Sequence, residues 1–216
     1  RNERRAQVKR TGFKTTKFKL MLASKLINLG SKSLKQNLIS SHTLDSELIL
    51  SKILKKSREK ILTSSELNIS RDTLLEFNRL IKRRIKSEPM AYILKEKEFW
   101  SKKFIVSINT LIPRPETELL VEKIVNYFKN KKPFILDVGT GTGCILLSLL
   151  DEIKNSRGIG IDISKKALQV AIKNSKNFKK NRKFKFYNRS LDEIFGFKFD
   201  LIVSNPPYIC RHQIKN

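Results

Sequence analysis

Four residues near the carboxyl end of the chain, Asn205-Pro206-Pro207-Tyr208, stand directly behind the apolar run FDLIV at 199–203. Proline lacks a backbone N–H and is a poor way to continue a strand. The segment therefore reads either as a rigid turn or as a clamp. A carboxamide followed by two stiffened backbone carbonyls suits a site that must hold one amide group still. A second group, Asp137-Val-Gly-Thr-Gly-Thr-Gly143, places Gly139, Thr140, Gly141, Thr142 and Gly143 between an apolar run and a helical one. Glycines there let the backbone approach a ligand closely, and a helix N-terminus favours a negative or polar group. The dinucleotide fingerprint needs G-x-G-x-x-G, but its last position is Cys144, so the spacing here is G-x-G-x-G. The third residue is Asp162, at the end of GIGID. It follows the loop by about 20 residues, the spacing of the acid that grips a ribose diol. A carboxylate accepts two hydroxyl hydrogen bonds at once. The structural readings beside these are a glycine turn, a rigid proline turn and an N-terminal helix acid next to a Ser164 cap.

These residues need elements to hold them. From Phe134 onward the chain alternates apolar strands with amphipathic helices: FILDVG, GCILLSLLDEI, GIGID, SKKALQVAIKNSK, KFKFYN and FDLIVSN. Strands alternating with helices of this length imply an α/β fold, a parallel sheet with right-handed crossovers. Ligands of such sheets bind beyond the carboxyl ends of the strands. The glycine loop, Asp162 and Asn205 all fall on that rim.

Ahead of the sheet, residues 18–87 read as a small helical bundle. FKLMLASKLINLG should stop at Gly30, TLDSELILSKILKK should start from a Thr43 cap, and SRDTLLEFNRLIKRRIKS should start from Ser70. Residues 88–115 read as strands or a hairpin, rich in aromatic and β-branched residues. PRPETELLVEKIVNYF opens a helix with a stripe of Leu120, Val121, Ile124, Val125 and Phe128. The expected division is a basic arm at 1–17, the bundle at 18–87, a hairpin linker at 88–115 and the α/β domain at 116–216.

The chain has 216 residues, with 46 Lys and Arg against 20 Asp and Glu, a formal charge of +26. Such an excess suits an acidic partner, whether nucleic acid, an anionic surface or an acidic protein, or else a solvated lysine surface. Two cysteines, Cys144 and Cys210, form neither a disulfide framework nor a metal-ligand spacing. They favour a reducing compartment, and a cytoplasmic location is expected. No metal site is expected. No apolar run approaches the roughly 20 residues that span a bilayer, so no membrane partner is expected.

The strand-end NPPY with DVGTGTG is similar to class I S-adenosylmethionine-dependent methyltransferases acting on planar amide or amino nitrogens. EPMAYILKEKEFWSKKFIVSINTLIPRPETELLV narrows the likeness. It resembles the peptide chain release factor glutamine-N5 methyltransferases, the HemK/PrmC family, from about residue 20 to 213. Lys95 and Ser101 depart from glycines usual in that family and put local loop geometry in question. The family's sheet also has further strands, so the chain reads as truncated, and its last strand is expected to leave an unpaired edge.

The resemblance implies S-adenosyl-L-methionine as cofactor, held by residues 139–143, Asp162, Leu191 and Asn205. It implies Asn205, Pro206, Pro207 and Tyr208 as the substrate clamp, with Asn205, Pro206 and Tyr208 catalytic. The implied substrate is the glutamine of the Gly-Gly-Gln loop of release factors. The basic surface would suit an acidic release factor and leaves room for a weak nucleic-acid or ribosome contact. Glu116 and Glu118 are placed near the site by the resemblance, or serve the helix dipole. The rival readings are a nucleic-acid adenine-N6 methyltransferase, which would use the same clamp on a flipped base, and a non-catalytic docking fragment. A nicotinamide oxidoreductase ranks last because of Cys144.

Overall fold

The structure is a computed structural model that describes residues 21–64, 67–178 and 183–206. It divides into two compact units, 1–85 and 86–216.

The first unit holds β1 (Met21–Leu22), α1 (Ala23–Gln36), α2 (His42–Leu54), α3 (Arg58–Thr63), β2 (Asn68–Ile69) and α4 (Arg71–Ile85). β1 and β2 pair antiparallel. Leu26, Ile27 and Leu34 of α1, Ile49 and Leu50 of α2, and Phe77, Leu80 and Ile81 of α4 are buried, as their helical spacing requires. The expected stop at Gly30 is not observed, since α1 runs through it to Gln36. The reason is packing: a Cβ at 30 would lie 2.6 Å from Phe77 Cζ and from Ser46 Oγ. Glycine is there to let helices touch. Ser41, not Thr43, stands at the start of α2, and its hydroxyl donates to Asp45 Oδ2 at 2.8 Å. Asp45 is buried and pairs with Arg84 at 2.7 Å, and Glu47 pairs with Arg58. Ser70 does cap α4, accepting from Thr73 N–H at 3.2 Å.

The second unit opens with α5 (Met90–Leu94), where a strand was expected, followed by the hairpin β3 (Glu96–Phe99) and β4 (Lys102–Ile105). Then come α6 (Glu116–Phe128), β5 (Phe134–Val138), α7 (Cys144–Glu152), β6 (Arg157–Ile161), α8 (Lys165–Ser175), β7 (Lys183–Tyr187), a 3-10 turn at Leu191–Glu193, and β8 (Leu201–Ser204). The expected parallel sheet is present, in the order β7-β6-β5-β8. The chain steps outward from β5 to β7, then returns to the other side of β5. That return is the switch point where such sheets bind ligands. Among the described residues β8 is an edge strand, with Ile202 exposed.

One core joins the hairpin (Phe99, Phe104), α6 (Val121, Ile124, Phe128), α7 and the sheet residues Ile135 and Val203. The opposite sheet face packs Leu136, Ile159 and Ile161 against Phe134, Val138, Tyr187, Ile194 and Phe199. β6 carries two glycines beneath α7 and the glycine loop. A Cβ at 158 would lie 2.5 Å from Leu146 Cδ1; one at 160 would lie 2.7 Å from the Phe186 ring and 3.0 Å from Thr140 Oγ1. No described helix is long and apolar enough to cross a membrane.

Candidate functional site

A cavity of about 610 Å³ opens at the carboxyl ends of β5, β6 and β8. Gly139, Gly141, Asp162, Leu191, Asn205 and Pro206 all line it. Six residues named from the sequence thus share one wall. Pro207 and Tyr208 lie outside the described residues. Thr140, Thr142 and Gly143 do not line the cavity; both threonine side chains are buried beneath it and support the loop.

The loop's shape follows from its sequence. Gly139, Gly141 and Gly143 have φ of 71°, 54° and 78°, values that L side chains rarely adopt. A Cβ at 139 would meet nothing within 4 Å, so the backbone there faces open space. Beneath the loop the Thr140 hydroxyl donates to Asp137 Oδ2 at 2.7 Å. Burial pushes the Asp137 carboxyl up to about 6, against the lowering effect of that hydrogen bond.

Asp162 lies on the cavity and serves the start of α8, the structural reading of its position. Its Oδ1 accepts from Ser164 N–H at 2.8 Å, and its Oδ2 accepts from Gly141 N–H at 2.9 Å. The first bond orders the start of α8, where Ser164 Oγ also accepts from Ala167 N–H at 3.2 Å. The second ties the acid to the glycine loop. Asn188 Nδ2 donates to the Asp162 and Ile163 carbonyls, each at 2.8 Å, and holds this turn from β7's side. The carboxylate is fixed by these two bonds on a residue that lines the cavity, and each oxygen retains a second lone pair as an acceptor. Ile163, 80% exposed, and Leu191 are apolar surfaces on the same cavity.

Asn205 follows β8, which is registered on β5 through Val138 and Ser204. Ser204 Oγ reinforces that register by donating to the Val138 carbonyl at 2.9 Å. The Asn205 Nδ2 donates to Thr117 Oγ1 at 2.9 Å. Thr117 is buried in the first turn of α6, which its apolar stripe pins to the core. Glu116 and Glu118 do not line the cavity. Glu118 instead accepts from Trp100 N–H at 3.0 Å and anchors the hairpin turn. The residue of this stretch that reaches Asn205 is the threonine between them.

The remaining wall comes from the segment after the hairpin. Ile108, Thr110 and Leu111 line the cavity, and the Tyr92 hydroxyl donates to the Thr110 carbonyl at 2.9 Å. Asn174, buried in α8, ties hairpin to loop. Its Oδ1 accepts from Ile105 N–H at 2.7 Å, and its Nδ2 donates to the Ile105 carbonyl at 3.0 Å and the Thr142 carbonyl at 2.9 Å. Thr117, Asn174 and Asn188 escaped sequence reasoning because their bonds join distant segments. An apolar residue after the ribose-spaced acid, Ile163, was the one local signal available.

Residues 25–94 match the PrmC N-terminal domain, and residues 114–216 match the methyltransferase small domain. The release factor glutamine methyltransferase of Haemophilus influenzae is 40% identical over 206 residues, covering 89% of this chain and 68% of its own length. This chain belongs to the release factor glutamine methyltransferase family. Two further members, from Buchnera aphidicola subsp. Baizongia pistaciae and subsp. Acyrthosiphon pisum, are each 44% identical, with 82% of this chain covered. The chain spans 64% of the length of each.

Lys95 and Ser101, the positions the resemblance put in question, fall where glycine would be easiest. Lys95 ends α5 with φ of 59°, and Ser101 follows Trp100 in the hairpin turn with φ of 55° and 51° respectively. A two-residue hairpin turn with both φ positive matches the twist of its strands. Here the turn is kept by anchoring Trp100, whose Nε1 also donates to Glu152 at 2.9 Å. The hairpin turn thus holds two L residues, Trp100 and Ser101, at positive φ.

Proposed function

We propose that the cavity is a methyl-transfer site that modifies the side-chain amide nitrogen, N5, of the Gly-Gly-Gln glutamine in peptide chain release factors. The observation that carries this reading is the placement of Asn205. Its carboxamide is held by Thr117 on the same cavity as the glycine loop and Asp162, in a chain of this family.

The cavity suits S-adenosyl-L-methionine. Open space at Gly139 admits a close-lying chain of atoms, the fixed Asp162 carboxylate suits a ribose diol, and Ile163 and Leu191 suit a purine's flat faces. When bound, that cofactor supplies an electrophilic methyl group on a sulfonium sulfur. The chain's own residues supply position and electrostatics. A glutamine nitrogen is a weak nucleophile because its lone pair is delocalised into the carbonyl. Asn205 Oδ1 and the Pro206 carbonyl each accept one N–H of the substrate amide, which aims the nitrogen's lone pair into the cavity. With the cofactor held there, its methyl would pass to the amide nitrogen that Asn205 and Pro206 orient, the S–C electron pair would stay with sulfur, and the nitrogen would shed one proton to water. No general base is required for that last step. Tyr208, outside the described residues, is assigned the aromatic wall of the clamp.

The test is incubation of the purified protein with S-adenosyl-L-methionine and a release factor, with nucleic acid offered in parallel, followed by peptide mass mapping. A single methyl on the Gly-Gly-Gln glutamine supports the proposal. Methylated adenine without a modified release factor overturns it.

A further inference from the structure

The ladder between β6 and β7 ends at Ile161 and Tyr187, and Asp162 stands just past it. Its amide N–H still donates to the Tyr187 carbonyl at 3.2 Å. Its carboxylate accepts from the Gly141 and Ser164 amides at 2.9 and 2.8 Å. These partners are all backbone groups, present whatever side chains stand there. The carbonyls of Asp162 and Ile163 are served differently, since Asn188 Nδ2 donates to each at 2.8 Å. Among the described hydrogen bonds of Asp162, the one to Asn188 is the one made with a side chain of another residue.

The chemistry of this contact leaves no choice of orientation. A carbonyl oxygen accepts and cannot donate, so two carbonyls demand the NH2 end of the carboxamide, whose two hydrogens serve one acceptor each. An ionised aspartate of the same shape would set oxygen against oxygen, and a hydroxyl has a single hydrogen to offer two acceptors. We propose that Asn188 is a positioning residue for the cofactor: by gripping the 162–163 turn it sets the Asp162 carboxylate to meet the ribose diol of S-adenosyl-L-methionine. Asn188 does not line the cavity, whereas Asp162 and Ile163 do, so it acts through them. Asn188 is exposed, so carbonyls that lose it pass to water and the fold gives up little. What is given up is the placement of the acid.

This inference rests on the cofactor reading of the cavity given under the proposed function, and the experiment separates the two. Wild type, Asn188→Ala and Asn188→Asp are titrated by calorimetry with S-adenosyl-L-homocysteine, the demethylated cofactor, and with its 2′,3′-dideoxy analogue, which offers Asp162 no hydroxyl. Asn188→Ala raises the Kd of S-adenosyl-L-homocysteine about 3- to 10-fold, the worth of one or two ordinary hydrogen bonds. Asn188→Asp, which repels the two carbonyls at neutral pH, raises it about 10-fold or more. Toward the dideoxy analogue each variant loses less than about 3-fold, because the misplaced acid had nothing to grip there. Urea midpoints of the three proteins coincide. On a release factor, KM for S-adenosyl-L-methionine rises with Kd, while kcat at saturating cofactor changes by less than about 2-fold.

Unchanged affinity for S-adenosyl-L-homocysteine in both variants overturns the inference alone. So does an equal loss toward both ligands, or a urea midpoint that falls in step with affinity, since either marks a general loosening of the fold. A wild type that binds the two ligands equally, or neither, overturns the ribose reading of Asp162 and this inference together. A wild type that shows the expected binding pattern but leaves the release factor unmodified overturns the proposed function while supporting the role of Asn188.

Discussion

Asn174→Leu probes the link between hairpin and glycine loop most directly. Leucine has the same branching and heavy-atom count as asparagine but offers no donor or acceptor. Three backbone groups lose their partner: the Ile105 N–H, the Ile105 carbonyl and the Thr142 carbonyl. A buried group left unsatisfied costs about 1–3 kcal/mol. Thr142 is buried, so its carbonyl bears the full penalty; Ile105 is 38% exposed, so water recovers part of its share. The expected loss is about 3–5 kcal/mol in the α/β unit, from one group at the upper end and two near the lower. Trp100, the single tryptophan, sits in the hairpin turn and reports this unit's unfolding by its fluorescence in urea. Freed from Asn174, the loop also binds S-adenosyl-L-methionine more weakly, which calorimetry reads as a Kd raised about 10-fold, equivalent to roughly 1.4 kcal/mol. Asn174→Asp refines the test. It keeps an acceptor for Ile105 N–H but turns an oxygen toward two carbonyls, which favours its protonated form. Its folded pKa is then raised, so its deficit against wild type shrinks as pH falls and grows as pH rises. A leucine variant within about 1 kcal/mol of wild type, with unchanged cofactor affinity, would refute the bridging role.

Lys95→Gly and Ser101→Gly each remove a left-handed L residue. Each should raise stability by about 0.5–1 kcal/mol, the strain relieved less the entropy that glycine adds to the unfolded chain, seen as a melting point about 2–4 °C higher. Asp137 makes stability depend on pH. Its folded pKa of about 6 exceeds the ordinary 3.8, so its favourable contribution is full below 3.8 and lost as pH rises through 6. The difference corresponds to roughly 3 kcal/mol. Urea titrations at pH 4 and pH 7 should show wild type declining by that order relative to Asp137→Asn, and parallel behaviour of the two would contradict it. Asn205→Ala should abolish methyl transfer while cofactor binding persists, whereas Asp162→Ala should weaken cofactor binding; calorimetry and methylation assays together separate these roles.

The sheet was legible because its central strands β5 and β6 are largely buried and read as short apolar runs, while amphipathic helices between the strands keep a 3.6-residue rhythm. Gly139, Gly141, Asp162 and Asn205 were legible as a group because loop spacing and strand ends place them on one rim, whereas Leu191 was named from the resemblance. Gly30 misled because a glycine that ends a helix and one that admits a neighbouring ring look alike in sequence; only Phe77 tells them apart. Met90–Leu94 was read as a strand from its tyrosine and isoleucine, whose preferences are weak over five residues and yield to context. Thr117 and Asn174 left no local trace, since each is defined by a partner on another element.

Two hydrogens standing where side chains would be give β6 an influence beyond its own strand. With no methyl at 158, Leu146 and the helix that carries it settle against the strand; with none at 160, Thr140 rests where its hydroxyl meets Asp137. The altitude of the cofactor-facing rim is thus fixed from underneath, by bare backbone. An alanine at either position would jack up the floor of the site, so a change that touches no ligand should register first as a loosened grip on one.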